Sequence, residues 1–226
     1  MLLAITTSTP RFSAALADLG GNPLQHRVGE HPPSAHAESM FPTIDAMVKE
    51  AGATPRAIAA VACDIGPGSF TGTRVGLAAA KGIAFALDVP LWPVVSLEAL
   101  AAEARAATGA TRIATVVDAK RGESFLAAFG GDRDEPPEAV PKERVAARLA
   151  AWGPDLVYGQ GLPDALALPR WSDGVGFVDA RWVATVALRH AASGAQVPDL
   201  DRLEPLYARE PDAKLPRPVG STIGRG

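Results

Sequence analysis

The stretch Gly66-Pro67-Gly68-Ser69-Phe70-Thr71-Gly72-Thr73-Arg74-Val75-Gly76 decides the fold, because it joins an apolar run to a helical pattern. The run before it, residues 58–63, is partly β-branched and fits a buried strand. The proline ends that strand, and the glycines permit a positive φ or a close backbone approach. Ser69 or Thr71 can cap a helix that begins near Gly72. The sequence therefore predicts a strand, a glycine turn and a helix N-terminus, an arrangement that can hold an anion.

The spacing within this stretch matches neither of two familiar phosphate-binding patterns. A Walker A loop needs Gly-Lys-Ser/Thr at its end, and the dinucleotide pattern needs a third glycine at a fixed step. The loop is therefore either an anion site or a tight strand-to-helix turn without a ligand. Arg74 and Lys81 lie close by in sequence. They could contact a phosphate or an acidic partner residue, or they could be solvated surface charges.

Composition narrows the class of protein. The chain has 226 residues and a net charge of −3, so it is long enough to bury a core and carries no basic field that would favour tight unaided binding to nucleic acid. Cys63 is the single cysteine, which excludes internal disulfides and is typical of a core position. The N-terminus lacks the basic segment of a signal peptide, and no apolar run has membrane-spanning length. We therefore expect a cytoplasmic protein that does not interact with a membrane.

Histidines are the obvious candidates for metal ligands. His26, His31 and His36 recur every five residues. That spacing matches neither the helical nor the strand period, so the three side chains do not share one face. We predict no metal site here and interpret the histidines as solvated or capping residues.

The order of elements predicts an α/β fold built from two lobes. Three strands, a helix, a strand and a second helix open the chain, and residues 132–141 are expected to form a charged, proline-bearing loop. A helix over residues 181–192 is assigned to the second lobe. The predicted units are an N-terminal lobe, a smaller C-terminal lobe and a disordered tail, at residues 1–95, 96–207 and 208–226.

Five stretches carry a resemblance to a known family: 36–42, 66–82, 94–100, 118–123 and 206–211. Together they resemble the TsaB family, the bacterial tRNA threonylcarbamoyladenosine biosynthesis proteins. The resemblance implies the actin-like ATPase (ribonuclease H-like) fold of the actin, sugar-kinase and Hsp70 superfamily, with a second lobe that is smaller and degenerate.

Two positions depart from the pattern of the related catalytic family, TsaD, which transfers threonylcarbamoyl from an adenylate to the adenosine beside the tRNA anticodon. That family holds a metal with a His-x-x-x-His pair, where this chain has Ser96 and Leu100. Family members usually begin the first hairpin with Asp-Thr-Ser, where this chain has Thr6-Thr7-Ser8. A leucine cannot bind a metal, and a threonine supplies no anionic oxygen. The resemblance therefore implies a subunit without catalytic, cofactor-binding or metal-binding residues.

The resemblance also implies partners. A TsaB-like chain forms a heterodimer with TsaD, supports binding of the ATPase TsaE, forms a homodimer when alone, and meets tRNA only through the complex. The alternative is an enzyme of the same superfamily, either a nucleotide-dependent transferase or a glycopeptidase-like hydrolase. These two hypotheses differ in whether the chain does chemistry itself.

The predicted partner interface lies on the two helices of the first lobe. Gly72, Gly76, Ala80 and Ala84 form a stripe of small residues, which either lets a partner helix approach or packs on the chain's own sheet. On the first interpretation, Gly76→Leu abolishes pairing and leaves the lobe mostly folded. The predicted interface residues are His36, Met40, Phe41, Ile44, Gly72, Thr73, Gly76, Leu77, Ala80, Lys81 and Phe85.

Overall fold

The computed structural model describes residues 1–29, 36–130, 134–159, 170–171 and 177–208, with the backbone alone described for residues 36–38 and 170–171. The elements in chain order are β1 (Leu2–Thr6), β2 (Phe12–Ala17), β3 (Pro23–Gly29), α1 (His36–Glu50), β4 (Ala60–Asp64), α2 (Phe70–Leu87), β5 (Leu91–Val94), α3 (Ser96–Thr108), β6 (Ile113–Lys120), β7 (Glu123–Phe129), β8 (Glu135–Pro141), α4 (Lys142–Trp152), β9 (Leu156–Gly159), β10 (Arg170–Trp171) and α5 (Ala180–Ala192).

The first sheet has the strand order β3-β2-β1-β4-β5. Strands β1 to β3 form an antiparallel meander, whereas β4 and β5 run parallel to β1. The side chains of β1 alternate between two faces, as the period of a strand requires. Leu3 and Ile5 join the core on the side of α1 and α2, and Leu2 and Ala4 join the core on the side of α3 and α5. The sheet is therefore covered by helices on both faces.

The second sheet has the order β10-β9-β6-β7-β8, which repeats the topology of the first. Its meander is completed by β8, at residues predicted to be a loop. That prediction was wrong for residues 135–141. Two features accommodate Pro136 and Pro137: β8 pairs with β7 alone, at the edge of the sheet, and its register with β7 shifts at these residues, between Leu126 and Ala128.

Two helices lie between the sheets. Helix α3 packs on the second sheet, whereas α5 packs on the first sheet and on α3. The chain therefore returns to the first lobe at α5, which the sequence interpretation had placed in the second lobe. The described C-terminal residues follow: Leu203 joins the core beside α1 and α2, and the Leu206 N–H donates to the Ile65 carbonyl at 2.8 Å.

The helix ends follow their sequence signals. Ser69 caps α2, as predicted, and its hydroxyl accepts from the Gly72 N–H at 3.2 Å. Asp88 closes α2 in the left-handed conformation. His31 and the tail from residue 209 lie outside the described residues. None of the described helices is both long and apolar enough to cross a membrane.

The N-terminus of α5 is fixed to the first sheet by a buried aspartate. Asp179 accepts from the Arg181 backbone N–H at 2.8 Å and pairs with His26 of β3 at 3.0 Å. The Arg181 side chain also contacts this carboxylate, at 2.7 Å. Burial alone raises the pKa of Asp179, but the hydrogen bonds from His26 and Arg181 outweigh it and hold the pKa well below the usual range. This cluster joins α5 to the first lobe.

We expect Asp179→Ala to lower the free energy of unfolding by about 2–4 kcal/mol, because it removes a helix cap and leaves the His26 ring and the Arg181 guanidinium without their shared partner. Chemical denaturation of purified protein measures this change. Asp199→Ala is a matched control, since Asp199 caps a three-residue 3-10 turn from an exposed position. That change should cost no more than about 1 kcal/mol. Equal effects of the two substitutions would contradict the assignment of Asp179 as the anchor of α5.

Candidate functional site

A buried carboxylate marks the site. Asp64 is the last residue of β4 and is 1% exposed. Because β1, β4 and β5 are parallel, their carboxyl ends meet at one edge of the sheet. Thr6 ends β1 at that edge, and Ser96 begins α3 just after β5. The topology therefore brings together residues that are far apart in sequence.

Four donors surround the Asp64 carboxylate. Thr6 Oγ1 donates to Oδ2 at 2.8 Å, and Ser8 Oγ donates to the same oxygen. Ser96 Oγ donates to Oδ1 at 2.5 Å, and the Gly66 N–H donates to that oxygen at 2.8 Å. All three hydroxyl residues are themselves buried. We refer to Asp64 with Thr6, Ser8, Gly66 and Ser96 as the Asp64 cluster.

Burial dominates the ionisation of this carboxyl. Removal from water raises the pKa of Asp64, and the hydrogen bonds from Ser8, Ser96, Gly66 and Thr6 offset that effect only in part. Each carboxylate oxygen already accepts two hydrogen bonds from the chain. The arrangement therefore satisfies a buried charge internally. Among the described residues, no group of three histidines, cysteines or acidic residues is placed to hold a metal ion.

The glycine loop packs directly against the turn between β1 and β2. The Ser69 N–H donates to the Ser8 carbonyl at 2.6 Å, and Thr7 Oγ1 donates to the Gly72 carbonyl at 2.7 Å. A Cβ added at Gly68 would lie 2.5 Å from the Ser8 carbonyl oxygen, and one at Gly72 would overlap the Thr7 carbonyl oxygen. The glycines are thus required by a close approach within the chain. This contact favours the tight turn over the anion site.

Burial sorts the predicted interface residues into two groups. Phe41 and Phe85 are 52% and 81% exposed, and Lys81 is half-buried. The side chain of His36 lies outside the described part of the chain. Packed inside the first lobe are Met40, Ile44, Gly72, Thr73, Gly76, Leu77 and Ala80. A direct contact between these seven and a partner would require the lobe to rearrange; their role in an interface stays a prediction.

The stripe of small residues also packs within the lobe. A Cβ on Gly76 would overlap Thr7 Oγ1, so Gly76→Leu would disrupt the lobe and cannot serve as a clean test of pairing. The exposed side of α2 carries a different row, spaced by three or four residues. This row, which we call the outer stripe, consists of Phe70, Arg74, Ala78, Gly82 and Phe85. Nothing lies within 4 Å of a Cβ added at Gly82.

Sequence reasoning missed Asp64. It considered Thr6 and Ser96 only as replacements for ligands, whereas the structure shows both donating to this carboxylate. One signal was available: Asp64 follows an apolar strand directly and precedes the glycine loop. A polar residue there stands at the carboxyl end of a parallel strand, where sites in such sheets are built.

The two repeated five-strand sheets define an actin-like fold. A putative N-acetylmannosamine kinase from Listeria monocytogenes shares this fold, with a TM-score of 0.52 at 7% identity over 84% of this chain and 99% of that chain. The family model described as TsaD, tRNA N6-adenosine threonylcarbamoyltransferase, matches residues 28–142, about half of the chain. The TsaB protein of Escherichia coli is 33% identical over 64% of this chain and 63% of its own length. YeaZ from Pseudomonas aeruginosa superposes with a TM-score of 0.74 at 27% identity, covering 91% of this chain and 98% of that chain.

The chain belongs to the family that this model describes, and it is similar to proteins named TsaB. Its match spans about half to just under two thirds of the length of the TsaB relatives from Escherichia coli, Haemophilus influenzae and Bacillus subtilis. Those relatives are named as tRNA threonylcarbamoyladenosine biosynthesis proteins.

We expect Asp64→Asn to destabilise the fold by about 1–3 kcal/mol near neutral pH, because the amide NH2 faces a donor where the carboxylate oxygen accepted one. Urea unfolding measures the loss. Asp45→Asn, on the exposed side of α1, is the control and should change stability by less than about 0.5 kcal/mol.

The difference in stability between the wild type and Asp64→Asn should depend on pH. Since the pKa of Asp64 is raised above its ordinary value of 3.8, the folded state binds this proton more tightly than the unfolded state. The wild type therefore gains stability as pH falls through the interval from the raised pKa to the ordinary value, and loses it as pH rises. The advantage of the wild type over Asp64→Asn should be larger near pH 4 than near pH 7. An advantage that grows with pH would contradict the raised pKa.

Two alanine substitutions in one helix separate the buried glycines from the exposed one. Gly72→Ala should destabilise the protein by about 1–3 kcal/mol, because its Cβ meets backbone that cannot move aside cheaply. Gly82→Ala should stabilise it by about 0.5–1 kcal/mol, because alanine is the better helix former and the space is open. Thermal and urea unfolding measure both changes. The same sign for both would show that the hairpin does not press on α2.

Proposed function

We propose that this chain acts in the biosynthesis of threonylcarbamoyladenosine in tRNA as a non-catalytic subunit. It pairs with a TsaD-type transferase through the exposed side of α1 and α2, and the pair supports binding of a TsaE-type ATPase. The names of the relatives support the pathway, and the family model supports kinship with the transferase itself. The transferase then supplies the chemistry, and this chain stabilises the partner's active conformation through contacts made only in that conformation.

The Asp64 cluster is the observation that carries the non-catalytic assignment. A general base or a metal ligand needs lone pairs that can reach a substrate or an ion. The Asp64 carboxylate oxygens instead accept hydrogen bonds from three hydroxyls and a backbone N–H of the same chain. The hydroxyls in turn donate inward, towards Asp64. This edge of the sheet therefore holds the lobe together.

The outer stripe supports pairing. Ala78 and Gly82 are exposed and small, so a partner helix can approach the α2 axis closely. Phe70 and Phe85 lie on either side of them and are 66% and 81% exposed. Exposed aromatic side chains beside a surface that a partner helix can approach closely often contribute much of the binding energy at protein–protein interfaces. Phe41 of α1 adds a third exposed ring.

Gly82→Arg tests this surface. The long side chain fills the open space above α2, and arginine is a better helix former than glycine, so the unfolding temperature should not fall, while the complex with the organism's own TsaD is lost. We expect the dissociation constant to rise by at least about tenfold, the equivalent of 1.4 kcal/mol. Gly82→Ala is the matched control and should pair like the wild type. Sedimentation of the mixed proteins gives both values.

A modification assay with tRNA tests the function itself. Omission of this chain, or its replacement by Gly82→Arg, should reduce threonylcarbamoylation by TsaD and TsaE, whereas Gly82→Ala should restore it. Full activity without this chain would contradict the role as a required subunit. Turnover of ATP by the isolated chain, or a stoichiometric metal in the purified protein, would favour the alternative of an enzyme.

A further inference from the structure

One buried side chain of the turn between β1 and β2 donates a hydrogen bond into α2. Thr7 is 1% exposed, and its Oγ1 donates to the Gly72 carbonyl at 2.7 Å. In an α-helix, that carbonyl also accepts from the N–H four residues on, at Gly76. A carbonyl oxygen has two lone pairs, so it can accept both bonds. Thr7 therefore joins the hydrogen-bond ladder of α2 from outside the helix.

We propose that Thr7 is a positioning residue for the partner surface: it sets the distance of α2 from the first sheet, and so the position at which the outer stripe meets a partner. The proposal rests on the proposed use of the outer stripe as a pairing surface. Thr7 is buried beneath the helix, so its effect on pairing passes through the backbone of α2.

Two glycines of α2 show how closely Thr7 approaches the helix. A Cβ added at Gly72 would overlap the Thr7 carbonyl oxygen, and one added at Gly76 would overlap Thr7 Oγ1. These glycines are about one turn apart, so Thr7 lies against the helix backbone along a full turn. The Ser8 carbonyl adds a further contact, where it accepts from the Ser69 N–H at 2.6 Å. Contacts at three levels along one side fix the position of the N-terminal half of α2.

The outer stripe lies on the opposite side of the same turns. Successive residues of an α-helix are rotated by about 100°, so Phe70 and Arg74 point about 160° away from Gly72. The guanidinium carbon of Arg74 lies 3.3 Å from the centre of the Phe70 ring, and the Tyr207 ring centre lies 6.2 Å from that of Phe70. Stacking holds these side chains to one another and to the helix. A shift of α2 away from the sheet therefore carries them outward with it.

Replacement of the hydroxyl by a methyl group gives the size of the shift to expect. Thr7→Val places a carbon where Oγ1 lies, 2.7 Å from the Gly72 carbonyl oxygen. Contacts between a carbon and a carbonyl oxygen are longer, at about 3.3–3.6 Å. A β-branched side chain has few rotamers with which to avoid the contact, so α2 must move outward by roughly 0.6 Å. A surface that depends on the close approach of a partner helix is sensitive to a shift of this size.

Three variants of Thr7 test the inference through pairing with the organism's own TsaD. Thr7→Val should raise the dissociation constant by at least about tenfold, whereas Thr7→Ser, which keeps the hydroxyl, should stay within about twofold of the wild type. Thr7→Ala removes the hydrogen bond without adding bulk, so it serves if the valine variant fails to fold, and its affinity should lie between the other two. Sedimentation of the mixed proteins measures all three, at a temperature where circular dichroism shows each variant folded.

A core variant in the second sheet separates positioning from a general loss of stability. Val157 of β9 is fully buried, in the core shared with Val145 and Leu149 of α4. Val157→Ala leaves a cavity there, so it should lower the unfolding temperature and leave the affinity for TsaD unchanged. Amide hydrogen exchange should quicken in α2 for Thr7→Val and in the second sheet for Val157→Ala. A purely structural role of Thr7 would make affinity follow the unfolding temperature in both variants.

The outcomes separate this inference from the proposed function. Wild-type affinity in Thr7→Val, with Gly82→Arg unable to pair, would overturn the positioning role and leave the pairing surface in place. Loss of pairing in Thr7→Ser, or an equal loss in Val157→Ala and Thr7→Val, would also overturn it. Wild-type affinity in Gly82→Arg would instead refute the proposed surface, and the positioning role with it.

Discussion

The burial of one carboxylate constrains the first lobe. An ionised aspartate removed from water is stable only if hydrogen-bond donors replace its solvent shell. The Asp64 carboxylate takes those donors from the end of β1, from the glycine loop and from the start of α3. The four donors come from three separate segments, so one charge fixes the relative positions of all three. The glycines of the loop follow from this, because the hairpin turn that carries Ser8 must press directly on α2.

This constraint bears on the proposed non-catalytic role. The resemblance places Thr6 and Ser96 where a catalytic relative would carry an aspartate and a histidine. Two neutral donors at these positions can both point at Asp64, whereas a second carboxylate beside it would repel it in a low dielectric. An internally satisfied cluster and a ligand-binding edge are therefore alternative uses of the same three strand ends. The fold is kept by either use, which is why fold alone does not reveal activity.

The sequence predicted what depends on local pattern. Strand periodicity, the cap at Ser69 and the glycine turn are all signals carried by neighbouring residues, and each was confirmed. Features that depend on contacts between distant segments could not be predicted from the sequence. The prolines of 135–141 suggested a loop, and only the neighbouring strand β7 makes them an edge strand. The partners of Asp64 lie 58 and 32 residues away along the chain, at Thr6 and Ser96, and no spacing rule connects them.

The choice between two stripes on α2 shows the same limit. Two rows of residues on α2 have similar spacing along the sequence. The sheet covers the row formed by Gly72, Gly76, Ala80 and Ala84, whereas the outer stripe is exposed. Small residues can serve close packing inward or outward; the overlap at Gly72 and the open space at Gly82 decide between them.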